Sequence, residues 1–401
     1  MTPEVIPLRN SSEPAGGGVR QFVLPGGKFR ITQITTFCPD IIGPGPTNLY
    51  LIEGDALILV DAGMPTYLAK AFFYQWRNQP MPKEVEALPA DLGERQLLEG
   101  IQLGGYSVSD IDILVITHGH PDHFLMASSV LKRCSPQVSA HILDTPAICN
   151  PWGMLHGWFS RVGHMRSTGM PPAKTPDKLF GDQSLRGLNL ESMGLLLRVD
   201  APFFADGPLT IKGSPVEGIE VRHLPGHSPG SVGLIVGNEA DGKVLICGDV
   251  LLNTITPHPD DLLVYLQTIG RLGELEGVGP ALPAHGRVVR DLKGRTEFLR
   301  EYHRNRLKLT YDACRLPRSV WDIATMTDYF DTYVDPKKFN YLAGLEALVH
   351  VEILNMAGGM KRTHIRDEVH YFKNCGEPFE KVYGRVTDLV LDRGSRTLLR
   401  Y

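Results

Sequence analysis

The stretch IDILVITHGHPDH, residues 111–123, joins an apolar run to a turn that holds three histidines and an aspartate. The run IDILVI is apolar enough to be a strand buried in a core. Imidazole and carboxylate groups are metal ligands, and a surface turn has little other need for three imidazoles so close together. The stretch therefore predicts a metal site at the end of a core strand.

The turn cannot complete two metal sites by itself, because each ion in a tetrahedral site takes about four ligands. Further ligands are expected just after other core strands, since the ends of neighbouring strands meet at one edge of a sheet. Three motifs meet this expectation: HLPGHSPGS with His227, VLICGDV with Asp249 and PALPAHG with His285. Each places a ligand-type side chain on a turn after a short apolar run.

Short runs of β type surround these motifs. Before residue 145 they are FRITQITTF, TNLYLIEG, ALILVDAG, IDILVI and VSAHILD, and HFLMASSVLKRC reads as a helix between the last two. After residue 203 they are LTIKG, IEVRHLPGHS, SVGLIVG and KVLICGD. From residue 287 the chain reads as mainly helical, with a short strand in EVHYFK. Strands that alternate with helices predict a layered α/β core.

The motifs HGHPDH, PGHSPGS, GD and AHG, in that order, resemble the metallo-β-lactamase fold of hydrolases. TNLYLIEGDALILVDAG resembles the opening strands of that fold, and the match runs from about residue 30 to 290. The resemblance implies an αββα sandwich of two mixed β-sheets flanked by helices. It also implies two divalent metal ions, with zinc as the first choice and iron or manganese as alternatives.

Carried over by position, the resemblance assigns one ion to His118, His120 and His227, and the other to Asp122, His123 and His285, with Asp249 bridging both. This is the dinuclear set of the glyoxalase II and ribonuclease branch. The true β-lactamases usually place a cysteine or another residue at the bridging position, so Asp249 argues against penicillin hydrolysis. A metal-bridged hydroxide would be the nucleophile, and Asp122 would double as the catalytic proton acceptor. Asp61 is expected to orient a ligand or the HGHPDH loop by hydrogen bonds, or to cap its strand.

The sequence suggests three regions. Residues 1–20, rich in Pro, Gly and Ser, are expected to form a flexible N-terminal arm, and residues 21–290 the catalytic domain. Residues 291–401 resemble the small helical winged-helix-like domain of a subgroup that includes single-strand endoribonucleases and thioesterases, followed by an extension. Two departures from the family are a long connection at 72–96 and an insertion at about 145–203. The aromatic and methionine side chains of the insertion either wall a pocket or pack against the core or a second subunit: Trp152, Met154, Trp158, Phe159 and Met165.

The amino-acid composition limits the classes of binding partner. A formal net charge of −4 argues against a whole-chain binder of DNA or of a membrane. The segment 287–318 is locally basic, which is typical of a solvated helix face and also compatible with RNA or a phosphate-bearing small-molecule substrate. Six scattered cysteines without a CxxC pair, no evident signal peptide and no apolar run of about 20 residues indicate a cytoplasmic protein. A homodimer through the aromatic insertion is compatible with the sequence.

The preferred function is a dinuclear hydrolase of a carboxylic thioester or ester, with acyl-coenzyme A as one candidate substrate. Cleavage of phosphodiesters in single-stranded RNA, lactone hydrolysis and a non-catalytic partner-binding role remain as alternatives. The nine histidines outside the motifs lack ligand spacing, and structural or solvated roles are expected for them: His141, His156, His164, His223, His258, His303, His350, His364 and His370.

Overall fold

The computed structural model of the protein describes residues 2–11, 16–38, 45–70, 82–150, 166–171, 197–253, 255–330 and 341–392. The five aromatic and methionine side chains of the insertion lie outside these residues. The chain divides into two compact units. The first contains strands β1 to β12, and the second contains most of the C-terminal helices.

The first sheet has seven strands in the order of the chain, β1 to β7. The strands from β1 to β5 pair antiparallel, whereas β5, β6 and β7 pair parallel, so the sheet is mixed. The strands are β1 (Glu4–Arg9), β2 (Val19–Val23), β3 (Arg30–Thr36), β4 (Thr47–Glu53), β5 (Leu57–Val60), β6 (Ile113–Val115) and β7 (Gln137–Ser139).

The second sheet has five strands in the order β12-β11-β10-β9-β8. Only β11 and β12 pair parallel, so this sheet is mixed as well. Its strands are β8 (Gly207–Ile211), β9 (Ser214–His223), β10 (Val232–Asn238), β11 (Gly242–Ile246) and β12 (Val278–Leu282).

The two sheets share one apolar core. Ile31 and Val60 of the first sheet and Leu234 and Ile246 of the second belong to the same buried cluster, and each is at most 1% exposed. Burying an aliphatic side chain of this size contributes about 1.5–3 kcal/mol, so this layer holds the sheets together. The helices of this unit are α1 (Lys83–Glu86), α2 (Leu92–Leu103), α3 (Pro121–Phe124), α4 (Ala127–Leu131) and α5 (Thr145–Cys149). The predicted fold class, two mixed sheets with helices and a helical C-terminal region, is confirmed.

Helix α2 packs on the first sheet through a position with no room for a side chain. A Cβ at Gly100 would lie 2.4 Å from Cγ2 of Ile34 in β3. We expect Gly100→Ala to lower the free energy of unfolding by about 1–3 kcal/mol, because overpacking forces the core to move. Urea denaturation measures this. Gly207→Ala is the matched control, since no atom lies within 4 Å of its added Cβ. Equal stability of the two variants would contradict the packing argument.

Two local expectations are wrong. Residues 4–9, expected in a flexible arm, form β1, which pairs with β2 as the edge strand of the first sheet. The backbone pairing and the contacts of Arg9 with Gly17 O and Glu99 fix this segment, although residues 1–20 are rich in Pro, Gly and Ser. The helix expected over residues 123–134 is instead two short helices, α3 and α4, because the chain turns at Leu125 and Met126.

The second unit is helical and carries a β-hairpin. Helices α7 to α10 and strand β14 agree with the mainly helical region and the short strand that the sequence predicts from residue 287, whereas α6 and β13 were not predicted. Its elements are α6 (Leu262–Gly273), α7 (Leu292–Ala313, of which the part from Thr296 belongs here), α8 (Val320–Ala324), α9 (Tyr341–Met356), β13 (Met360–Arg366), β14 (Val369–Asn374) and α10 (Phe379–Leu391). The winged-helix assignment stays a prediction. In the described ranges, no helix combines the length and the apolarity that crossing a bilayer requires.

Candidate metal centre

The ligand-type side chains lie on turns that follow buried strands of both sheets. The THGHPDH turn follows β6, and His227 lies on the turn between β9 and β10. Asp249 follows β11, and His285 follows β12. The structure therefore brings together all seven residues that the sequence singles out, although 167 positions separate the first from the last.

Three imidazole nitrogens converge in the first group. Nε2 of His118 lies 2.9 Å from Nδ1 of His120, and Nε2 of His227 lies 3.3 Å and 3.0 Å from these two atoms. Oδ2 of Asp249 lies 3.6 Å from Nε2 of His227. One ligand atom from each of the four residues lies within 4.8 Å of the others. Three nitrogens that face each other so closely have the spacing of ligands around one ion.

The second group consists of Asp122, His123 and His285. Nε2 of His285 lies 3.2 Å from Oδ2 of Asp122, and Nε2 of His123 lies 3.7 Å from Oδ1 of the same carboxylate. Asp249 faces this group too, with Oδ1 3.5 Å from His285 Nε2 and Oδ2 3.7 Å from His123 Nε2. One carboxylate thus lies between both groups.

The donor set fits a pair of divalent ions because the protein leaves its polar atoms unsatisfied. Four buried atoms that face the centre have no hydrogen-bond partner among the described residues: Asp122 Oδ2, His123 Nε2, Asp249 Oδ1 and His285 Nε2. An unsatisfied buried polar atom costs about 1–3 kcal/mol. A metal ion would satisfy all four at once, whereas hydrogen bonding within the protein does not.

Hydrogen bonds behind the centre turn three imidazoles inward. Asp61 Oδ2 lies 2.8 Å from Nδ1 of His123, and the carbonyl of Pro46 lies 3.1 Å from Nδ1 of His285. The Thr117 hydroxyl donates to Asp61, so its oxygen is free to accept from Nδ1 of His118 at 3.1 Å. Each Nδ1–H therefore has an acceptor, and each Nε2 faces the centre, which is the arrangement that metal-binding histidines need.

Asp61 occupies the orienting position that the sequence predicts for it. Its two oxygens accept from the Thr117 amide at 2.7 Å, from the Thr117 hydroxyl at 2.8 Å and from His123. Its backbone φ is 60°, a left-handed conformation that non-glycine residues seldom adopt. Such strain persists where the surroundings impose it, and here the carboxylate is 1% exposed and fully engaged.

The charged groups of the centre shift each other's pKa values. Burial opposes ionisation of Asp249, but His285, His123 and His227 outweigh it and hold the pKa of that carboxyl well below its usual range. Burial also opposes charge on His123, but Asp122, Asp61 and Asp249 raise the pKa of this imidazole well above its ordinary value. The pKa of His285 is raised against burial by Asp249 and Asp122. Protons on these imidazoles therefore compete with metal ions for the same nitrogens.

That competition predicts pH-dependent binding of metal. Because the pKa values of His123 and His285 are raised, we expect these nitrogens to carry protons near neutral pH and to lose them as the pH rises. Zinc affinity should accordingly increase between about pH 6 and about pH 8. Competition with a chromophoric chelator at both pH values measures it. An affinity that stays constant or falls would contradict the assigned proton positions.

Asp144, at the start of α5, is a functional residue that the sequence analysis missed. Its carboxylate accepts from the Gly119 amide at 2.8 Å, within the HGHPDH loop. It also accepts from the Ser228 hydroxyl and the Gly230 amide, both at 2.7 Å, in the loop that carries His227. The carboxylate is buried and ties two ligand loops together. A single aspartate remote from both loops in sequence gives no local signal of this role.

Removing part of that link should loosen the first ligand group. In Asp144→Asn one oxygen becomes an NH₂ group that cannot accept from the Gly119, Ser228 or Gly230 donors. We expect zinc affinity to fall about tenfold, the lower end of the effect of residues that support metal ligands. Chelator competition measures it. Asp110→Asn is the control, because Asp110 caps an exposed turn through Ser107 N. Unchanged affinity in Asp144→Asn would show that the loops hold their positions without this carboxylate.

The basic segment 287–318 is not simply a solvated helix face. Arg306 is 2% exposed, and its guanidinium lies 4.8–5.0 Å from the centroids of the Tyr302, Tyr329 and Phe330 rings. Arg304 pairs with Glu301 and Glu380, and Lys308 and Arg315 pair with Asp312. Acidic side chains of the same chain thus pair with several of the basic residues that the sequence suggests for binding a phosphate-bearing ligand. Arg287 and Arg290, in contrast, are exposed.

Comparisons with known proteins agree with this geometry. The model of the metallo-beta-lactamase superfamily matches residues 42–301. A protein from Bacillus subtilis (strain 168) named "Probable metallo-hydrolase YqjP" is 25% identical over 292 residues, which cover 67% of this chain and 76% of that protein.

Two solved structures share the fold. A metallo-beta-lactamase family protein from Thermus thermophilus aligns with a TM-score of 0.62 and 19% identity, covering 86% of this chain and 98% of that one. A beta-lactamase domain protein from Burkholderia ambifaria aligns with a TM-score of 0.64 and 23% identity, covering 91% and 96%. The family match covers most of the chain and shows that the protein belongs to the metallo-beta-lactamase superfamily, whose fold these two structures share.

Proposed function

We propose that the protein is a dinuclear metal-dependent hydrolase that cleaves a carboxylic thioester or ester, with acyl-coenzyme A as a candidate substrate. The observation that carries the dinuclear part is the position of Asp249, whose two oxygens face both ligand groups. A closed structural site would need only four ligands, whereas seven ligand-type residues surround this centre. The name of the Bacillus subtilis relative supports a hydrolytic role.

His118, His120 and His227 would hold one ion, Asp122, His123 and His285 the other, and Asp249 would bridge them. Zinc is the first choice for this set of imidazoles and carboxylates, and iron or manganese would also fit it. Two such ions supply a nucleophilic water of lowered pKa and take up negative charge that develops on the substrate oxygen.

The protein's own groups prepare that chemistry. The carboxylate of Asp122 lies beside His285 Nε2 at 3.2 Å and would accept the proton that leaves the attacking water. Asp61, Thr117 and the Pro46 carbonyl keep the imidazoles turned inward, so the ligands need no reorganisation when the reaction begins. Burial of the centre strengthens the interaction of its charges with the reacting atoms.

The choice of a thioester over RNA rests on the surface charges. A single-stranded RNA substrate favours a continuous basic groove, yet acidic partners within the chain engage Arg304, Lys308 and Arg315. A small substrate with one or two phosphates needs fewer free cations. The engaged cations therefore favour a small acyl substrate, and RNA cleavage is the second candidate.

Thiol release tests the proposal. Purified protein loaded with zinc would be given a panel of acyl-coenzyme A and acyl-glutathione thioesters, and free thiol would be measured with a chromogenic disulfide. We expect release that disappears after metal stripping and in Asp122→Ala, and that persists in Asp55→Asn, whose carboxylate is exposed and remote from the ligand turns. No release across the panel from fully loaded protein would overturn the thioester proposal. Single-stranded RNA and lactones, assayed with the same preparations, would then identify which alternative holds.

A further inference from the structure

A second cluster of ligand-type side chains lies in the helical unit. Glu346 and His350 stand one turn apart on the same face of α9, and His303 faces them from α7. Their ligand atoms lie within 4.8 Å of one another, and all three residues are buried, with His303 and His350 at 0% exposure. The sequence alone predicts structural or solvated roles for both histidines.

We propose that His303, Glu346 and His350 bind a third divalent metal ion, with His258 as the fourth ligand. This site is separate from the dinuclear centre, and its proposal does not depend on the proposed function. It would take zinc or another first-row ion that prefers imidazole nitrogen, because the donor set contains three imidazoles and one carboxylate.

The spacing of the nitrogens is the first support. Nδ1 of His303 lies 3.1 Å from Nε2 of His350. The facing nitrogens of the first ligand group in the dinuclear centre lie 2.9–3.3 Å apart. Two imidazoles that share one ion at bond lengths of about 2.0–2.1 Å place their nitrogens about 3.3 Å apart in tetrahedral geometry. The two clusters therefore have the same local geometry.

The orientation of His350 is the second support. Its Nδ1 donates to the backbone carbonyl of Glu346 at 2.6 Å, so its Nε2 carries a lone pair that faces His303. This is the arrangement found behind His118, His123 and His285, where an acceptor on one nitrogen turns the other toward the ions.

Glu346 and His258 complete a four-ligand set. Nδ1 of His258 lies 2.8 Å from Oε2 of Glu346, and the side chain of His258 is 26% exposed. His258 lies on the chain just before α6, and the sequence predicts a structural or solvated role for it. Its partial exposure provides a path by which an ion enters a site whose other ligands are buried.

Arg306 is the group that opposes a cation here. Its Nη1 lies 3.8 Å from Oε1 of Glu346, which is longer than a hydrogen bond. The guanidinium donates instead to the Tyr302 hydroxyl at 2.6 Å and lies over three aromatic faces, which stabilise its charge. The ion pair with Arg306 thus involves Oε1 of Glu346, whereas Oε2 is the oxygen that faces His258.

Metal content tests the third site. Full-length protein is loaded with zinc, desalted and analysed by elemental mass spectrometry. We expect three zinc ions per wild-type chain, and two in His303→Gln and in His350→Gln. His364→Gln, an exposed histidine of the same unit, should keep three. Equal zinc content in the wild type and in both variants would overturn the proposal and leave the cluster as a buried hydrogen-bond network.

A second measurement separates this site from the dinuclear centre, and its first part uses ion-free wild-type protein. Zinc titration of that protein against a chromophoric chelator should show three binding equivalents, and the same number of equivalents in the wild type and in His303→Gln would sink the inference. Protein with His227→Ala and Asp249→Ala together should retain one equivalent if the third site exists. Complete loss of zinc from that protein would show that all binding belongs to the dinuclear centre.

Discussion

Replacing Asp249 with alanine is expected to empty both halves of the dinuclear centre and to lower hydrolytic activity by more than about 100-fold. Its carboxylate faces His227 in one group and His123 and His285 in the other, at 3.5–3.7 Å. Residues that merely support metal ligands cost 10–100-fold when they are changed, so loss of the shared ligand should cost more. Metal content and turnover on the same preparation measure the two effects together.

The control is Asp55→Asn, which removes an exposed carboxylate that pairs only weakly with Lys28, at 3.7 Å. It should bind as many ions as the wild type and keep full activity. An Asp249→Ala protein that binds as many zinc ions as the wild type would contradict the bridging assignment, since each half would then be complete without it. Loss of only one ion relative to the wild type would show that Asp249 belongs to a single half.

The residues that could be predicted from the sequence share one property. Each stands at the end of an apolar run, so the strand and the ligand-type side chain are visible together in a few letters. VLICGDV gives β11 and Asp249, and ALILVDAG gives β5 and Asp61. Because the ends of buried strands meet at an edge of the core, the local pattern also predicts that distant turns lie side by side.

The residues that could not be predicted act across elements. Asp144 precedes a short helix and reaches Gly119 and Ser228, which lie 25 and 84 positions away. Glu346 and His350 stand in a helix whose other residues are mostly apolar, and their partner His303 belongs to another helix. No strand end marks these positions, and only the packing of the helices shows that the side chains meet. Similarly, the edge pairing of β1 is a tertiary effect, and the Pro, Gly and Ser content of residues 1–20 gives no sign of it.

Asp61→Asn is expected to lower zinc affinity by about 10–100-fold, although Asp61 is not one of the seven ligand residues. The carboxylate accepts three hydrogen bonds, two from Thr117 and one from His123. An asparagine has only one oxygen. In one orientation its NH₂ group meets the Thr117 amide, and in the other it meets the Thr117 hydroxyl and His123. At least one buried donor then loses its acceptor, which costs about 1–3 kcal/mol of stability. Thermal unfolding of ion-free protein and chelator competition measure the two consequences.

Asp112→Asn distinguishes the orienting role of Asp61 from a role that only holds β5 and β6 together. Asp112 precedes β6 and accepts from the Leu57 amide at 2.8 Å, at the end of β5 opposite to Asp61. It makes one such bond from an exposed position, and an asparagine oxygen can replace it. We therefore expect Asp112→Asn to bind zinc as the wild type does. If both variants lost stability alike while zinc affinity stayed unchanged in both, Asp61 would be a strand-end cap. A loss of zinc affinity in Asp61→Asn alone would instead mean that Asp61 orients the imidazole of His123, and that this role accounts for its strained backbone.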